Sequence, residues 1–289
     1  MLKRYLVSYV TTGRDLLRMG RPRKPRSAAT IVAPPDYGPG SRFSKLFGAM
    51  EESKEVANVF PQSKLLTGKA ASKEALSRLA GPTILHVATH GFYDQAGVGM
   101  GSRGSGSGSS SQQAVMRARG MFIESLESAL SSPQGDFGNS ADLEAIDLSG
   151  LALAGANAGA SGIITAREIA GLDWWGTQLV VLSACQTGVG AVASGEGVYG
   201  LRRALVLAGA ASQVVSLWAV NDQSTRVLMK AFYAELARGT GRAEALRRAK
   251  LTLLQQPAFA DPYYWAPFIA AGDWRPLDSS VFSQSQGAH

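Results

Sequence analysis

Four short runs in this chain are apolar at almost every position: AATIVA at 28–33, ILHVAT at 84–89, LVVLSA at 179–184 and QVVSLWAV at 213–220. A strand with one wet face alternates apolar and polar residues. Runs that do not alternate are covered on both faces, as the central strands of a parallel sheet are. Between them lie segments of helical spacing. Residues 198–209 put Val198, Leu201, Ala204, Leu205 and Ala208 on one face, and residues 222–238 and 242–255 read as two more helices, parted by Gly239 and Gly241. Strands alternating with helices predict an α/β fold, with a mostly parallel central sheet and helices on both of its faces.

Shorter signals fill in the rest. Strands are expected at 5–10, 64–67, 148–154 and 268–271, the apolar run at 28–33 being stopped by Pro34 and Pro35. Phe43, Leu46, Phe47, Met50, Val56, Val59 and Phe60 suit one or two amphipathic helices within 42–60. A helix at 72–79 has Ser72 as its cap and Gly81-Pro82 as its stop, and Thr165 with Glu168 forms a capping-box pattern. Residues 95–113 are Gly/Ser-rich and too polar to pack. The expected organisation is a leading strand and basic linker at 1–27, and one domain at 28–275 with a flexible insertion at about 95–141. A disordered tail is expected at 276–289.

Composition narrows the function classes. Among 289 residues there is one cysteine, Cys185, and three histidines, which excludes an internal disulfide framework and most zinc sites. A reducing cytoplasm is the natural compartment for such a chain. No apolar stretch reaches the roughly 18–20 residues of a membrane span, and the opening MLKRYLVSYVTTGRD lacks the cleavage site of a signal peptide. The net charge of +7 is densest at Arg18, Arg21, Arg23, Lys24 and Arg26, where Pro22 and Pro25 forbid a recognition helix and no aromatic offers a stacking platform. That stretch reads as a solvated linker, and nucleic acid is not expected as a direct ligand.

Two strand ends carry candidate chemistry. One run ends at His90-Gly91 and another at Cys185. In open α/β sheets, sites form beyond the carboxyl ends of strands, so a His and a Cys on neighbouring strands can meet there. An imidazole beside a thiol generates a thiolate nucleophile for acyl transfer. Backbone N–H groups of Gly91 and Cys185 could then hold the oxyanion. On these residues alone, Cys185 could equally be a small core hydrophobe. His86 shares a strand face with His90 and reads as a supporting or core histidine rather than half of a metal pair. Gly195 to Gly200 matches GxGxxG, but ten residues separate Ala184 from Gly195, where a dinucleotide fingerprint follows its strand at once.

Five motifs in order, ILHVATHGFYD at 84–94, LVVLSACQTGVG at 179–190, SGEGVYGLRRALVLAGA at 194–210, VVSLWAVND at 214–222 and PYYWAPFIAAGD at 262–273, resemble the CHAT-domain family of caspase-like, separase-related cysteine peptidases. The opening YLVSYV and KLLTGKAASKEAL at 64–76 are similar to it too. The resemblance implies a caspase-like three-layer sandwich, with His90 as general base and Cys185 as nucleophile. It also implies Gly91 and Cys185 as oxyanion donors and no metal or organic cofactor. Substrate contacts are expected at Ser183, at Trp218 as a groove wall or a buried strand residue, and at Glu196 in the loop after the nucleophile. Asp222 is expected to supply a charge for the residue before the cleaved bond, to cap the following helix, or to do both. The implied partner is a specific protein substrate, gasdermin-like or CRISPR-linked, in regulated proteolysis or bacterial defence. The helical repeats that often precede this domain are missing from the chain, and an activating module on another chain could stand in their place. The alternative is a catalytically silent scaffold of the same fold.

Overall fold

The computed structural model describes residues 2–19, 24–93, 149–183, 185–186, 196–218, 221–278 and 280–283. In chain order the strands are β1 (Thr30–Pro35), β2 (Lys64–Gly68), β3 (Ile84–Val87), β4 (His90–Tyr93), β5 (Ser149–Ala152), β6 (Ile163–Thr165), β7 (Leu179–Leu182), β8 (Cys185–Gln186), β9 (Ser212–Ser216) and β10 (Phe268–Gly272). The helices are α1 (Arg14–Met19), α2 (Phe47–Val59), α3 (Lys73–Ser77), α4 (Ala166–Ala170), α5 (Glu196–Ala208), α6 (Asp222–Ala237), α7 (Arg242–Leu254), α8 (Pro262–Trp265) and α9 (Ser280–Ser283).

Six strands form the central sheet in the order β10-β9-β7-β3-β1-β2. All neighbours are parallel except β10, which runs antiparallel to β9 at the edge. Successive residues of a strand face opposite sides, and both sides here are dry. Val32, Val180 and Val215 pack toward α3, α4 and α5 through Leu76, Ile169 and Leu205. Their neighbours Ile31, Val181 and Val214 pack toward α2, α6 and α7 through Val56, Phe232 and Leu246. The fold is thus the α/β three-layer sandwich expected, and the two dry faces explain why the runs do not alternate. A second sheet, β6-β5-β4-β8, stands beyond the ends of β3 and β7.

At the opposite ends of the strands, the buried Arg242 guanidinium donates to the carbonyls of Gln178, Asp273 and Pro276 and to Ser212 Oγ. This hub ties the starts of β7 and β9 to the end of β10. A crevice of about 330 Å³ lies between it and α1. No helix among the described residues is long and apolar enough to cross a membrane.

Several boundaries differ from the sequence reading. Residues 5–10 make a single bridge, Tyr9 to Ala271, not a full strand. The segment lies outside the last strand with solvent around it, and Tyr5, Leu6, Val7, Tyr9 and Val10 are 40–62% exposed. Residues 14–19 form α1 where a linker was expected, and Asp15 Oδ2 accepts the N–H groups of Thr11 and Thr12 ahead of it. Strand β1 runs through Pro34 to Pro35 instead of stopping before them. Residues 276–278 and 280–283, assigned to a disordered tail, are partly packed. Leu277 is buried, Phe282 stacks on Phe60 at 5.5 Å, and Asp278 exchanges hydrogen bonds with Gln178. The capping expectations at Ser72 and Thr165 hold, since Ser72 Oγ accepts the Ala75 N–H and Thr165 and Glu168 form a reciprocal box. The expected insertion at 95–141 lies outside the described residues.

Candidate active site

Neighbouring strands β3 and β7 end together, with Val87 opposite Leu182. Each chain then takes a short step out of the central sheet. Ala88 N–H donates to Val32 O and Ser183 N–H to Val87 O. Each then enters the second sheet, where His90 opens β4 and Cys185 opens β8. These two strands are parallel, with His90 opposite Cys185 and Gly91 opposite Gln186. Paired strands lie about 4.8 Å apart, so the two residues are neighbours across a ladder. His90 is therefore not the end of β3, as its apolar run suggests, but the first residue of another strand.

The His90 ring is fully buried between Tyr37 and Phe43, with centroids at 5.1 and 5.7 Å. Its Nε2 lies 2.7 Å from the carbonyl oxygen of Ser44. A carbonyl can only accept, so this contact puts the proton on Nε2 and leaves Nδ1 as the basic nitrogen. Burial lowers the ring's pKa from its ordinary 6.5, opposed by the Ser44 hydrogen bond and by the negative charge of Asp222. The imidazole is thereby kept neutral at neutral pH.

Sequence reasoning missed the segment that makes this cradle. Phe43, counted there in a helical stripe, lies in the loop before α2 and packs on His90. Asn157 fastens the loop. Its Nδ2 donates to the carbonyls of Gly38, Gly40 and Phe43, and its Oδ1 accepts the Phe43 N–H at 2.9 Å. Gly38 and Gly40 have φ of 79° and 128°, which favours glycine at both positions. Tyr37 hydroxyl meets Thr89 Oγ1 at 2.9 Å, and Thr89 in turn donates to the Ala152 carbonyl. The available signal was the run DYGPGSRFS at 36–44, where two aromatics flank glycines that forbid a helix.

The expected substrate contacts divide. Asp222 is exposed, stands near enough to His90 to act on its charge, and accepts the Gly48 N–H on Oδ2 at 3.3 Å. It is the first residue of α6 and not its cap. Asn221 caps that helix, accepting the N–H groups of Gln223 and Ser224. Ser183 is buried, and its hydroxyl has no hydrogen-bond partner among the described residues. Trp218 lies past the end of β9, half-buried against the α2/α6/α7 core, with Nε1 donating to the Tyr263 carbonyl. Glu196 is the first residue of α5 and not a loop residue. His86 is a core histidine. Its Nδ1 meets Tyr233 hydroxyl at 3.0 Å, and its Nε2 approaches Glu52 Oε1 at 3.3 Å without hydrogen-bond alignment. Among the described residues, no three His, Cys, Asp or Glu side chains gather as a metal cluster.

Comparison with known proteins agrees with this fold. The CHAT domain family model matches residues 1–273. Tetratricopeptide repeat protein 28 of Homo sapiens is 33% identical over 117 residues, which is 40% of this chain and 5% of that protein. Its counterpart in Mus musculus is 32% identical over 117 residues, with the same shares. The chain thus matches a small part of these relatives' length. Among solved structures, the Arg-specific cysteine proteinase gingipain R superposes with a TM-score of 0.50 and 9% identity. That likeness covers 91% of this chain and 51% of that one, and is a likeness of fold.

Proposed function

Because this chain belongs to the CHAT-domain family, whose fold it shares with a caspase-like cysteine proteinase, we propose that it is a cysteine endopeptidase working through a Cys185–His90 dyad. The observation that carries this reading is the pairing of His90 with Cys185 across β4 and β8, together with an imidazole whose Nε2 is held by the Ser44 carbonyl. A ring fixed in that way has one tautomer, with Nδ1 as its basic nitrogen.

In the proposed cycle, His90 Nδ1 takes the Cys185 thiol proton as the sulfur adds to the scissile carbonyl carbon, and the backbone N–H groups of Gly91 and Cys185 hold the oxyanion. Collapse breaks the C–N bond, and His90 gives its proton to the leaving amine. The acyl-enzyme remains as a thioester. His90 then takes a proton from water, whose oxygen attacks the same carbon, and the C–S bond breaks to release the acid product as His90 returns that proton to the Cys185 sulfur. Asp222 stands beside the dyad, and Trp218, past the end of β9, lies on the substrate side, with Ser183 in the step before Cys185 and Glu196 at the start of α5. The substrate is one specific protein partner in regulated proteolysis or bacterial defence, of the gasdermin-like or CRISPR-linked kind, and the reaction belongs to the cytoplasm.

The test is labelling by acyloxymethyl-ketone peptide probes that differ in the residue before the reactive group. Wild-type protein is expected to label, and Cys185→Ala and His90→Ala to remain unlabelled. Labelling that survives Cys185→Ala would sink the proposal, and a chain that binds its partner without cleaving it would be the scaffold instead.

A further inference from the structure

The segment that orients His90 is itself held from a second helix. Ser44 lends its carbonyl to His90 Nε2, and four residues later the Gly48 N–H donates to Asp222 Oδ2. Helix α2 starts after Leu46, which has no side-chain cap to offer. Its first N–H groups need an outside acceptor, and a carboxylate suits the positive end of a helix. The approach is close. A Cβ on residue 48 would stand 2.5 Å from Asp222 Cβ, so only glycine fits. Further along, α2 is fastened to α6 by Arg226 and Glu55 at 2.6 Å, and to β3 by the Glu52–His86 approach. Those contacts hold the body of the helix, while Asp222 holds the turn beside Ser44.

We propose that Asp222 is a positioning residue for the dyad: through Gly48 it keeps the Ser44 carbonyl in line with His90 Nε2–H, and so fixes the tautomer and direction of the ring. This deepens the peptidase reading and rests on it. It also differs from a role in recognising a basic substrate residue. Recognition needs the negative charge of Asp222, whereas positioning needs an acceptor oxygen, which asparagine keeps.

The chain's three histidines make the decisive experiment direct. In full-length protein with isotope-labelled histidine, the His90 Nε2–H signal is assigned by its loss in His90→Gln and followed by NMR. Asp222→Ala is expected to displace this signal and to speed its solvent exchange on the order of tenfold, as loss of an ordinary hydrogen bond would. Asp222→Asn is expected to restore it, and Gly48→Ala to reproduce the alanine variant from the other side of the contact. An unchanged signal in both Asp222→Ala and Gly48→Ala overturns the proposal. With the labelling probes, positioning lowers the inactivation rate for every probe at unchanged probe affinity, and asparagine rescues it. A loss confined to basic probes and not rescued by asparagine also overturns it. The NMR signal is read equally well in a Cys185→Ala background, so the positioning role stands or falls separately from the peptidase activity.

Discussion

His86 and His90 are both fully buried, four positions apart, on either side of the step between β3 and β4. His86 points into the layer shared by α2 and α6, where both ring nitrogens face side chains, Tyr233 and Glu52. His90 points among loop aromatics, with one nitrogen on a backbone carbonyl and a neighbouring strand that begins at Cys185. His86 thus faces core side chains on both of its nitrogens, whereas His90 is oriented by the main chain, which fixes its tautomer. Burial therefore does not tell the two environments apart, and the kind of partner does.

The sharpest way to break this contrast is to delete each ring in turn. His90→Ala should lower cleavage or probe labelling per folded molecule by about 10²–10⁴-fold, the range for a general acid–base group, at a stability cost of about 2 kcal/mol for the space emptied between Tyr37 and Phe43. His86→Leu should cost about 2–3 kcal/mol because the buried Tyr233 hydroxyl loses its hydrogen-bond partner. Activity per folded molecule should remain. A His86→Leu protein that is stable but inactive would show that the contrast is false. Tyr233→Phe is milder, removing one hydroxyl from His86 Nδ1 at a cost of about 1–2 kcal/mol. Chemical denaturation measures it.

The smallest expected effect concerns pH. The folded pKa of His90 lies below its unfolded value, so the unfolded chain binds more protons between the two. Stability from this group is complete above pH 6.5 and is lost as pH falls through the folded value. The acid limb of a rate profile should likewise lie below pH 6.5. Asp222 raises the His90 pKa, so Asp222→Asn should move that limb to still lower pH. An unmoved limb would mean that the charge does not reach the ring.

The central sheet was legible because burial on both faces leaves a plain mark: Ile31 and Val32 go to opposite layers, and both must be apolar. Even the convergence of His90 with Cys185 follows from two neighbouring strands ending in register. Less legible were the step into a second sheet and the cradle around His90. Two-residue β8 is too short to carry a pattern. Ser44 acts through its carbonyl, which every residue has, so its identity says nothing. Phe43 fits a helical stripe as well as it fits a loop, and the decision belongs to Asn157, more than a hundred residues away. The cap of α6 went to Asn221 instead of Asp222 by one position, which freed the aspartate to reach Gly48.

Tyr9 takes the Ala270 carbonyl on its N–H and gives its own carbonyl to Gly272 N–H, while Ser8 Oγ donates to the Gly272 carbonyl. One rim of the six-stranded sheet is thus closed by the chain itself. An open rim is a template that any stray strand can extend, and the usual outcome is clumping. At the other rim, β2 opens on Lys64 and is followed by Lys69, and a charged border resists the same stacking. A sheet guarded by a bridge on one side and by lysines on the other can remain dispersed at high concentration.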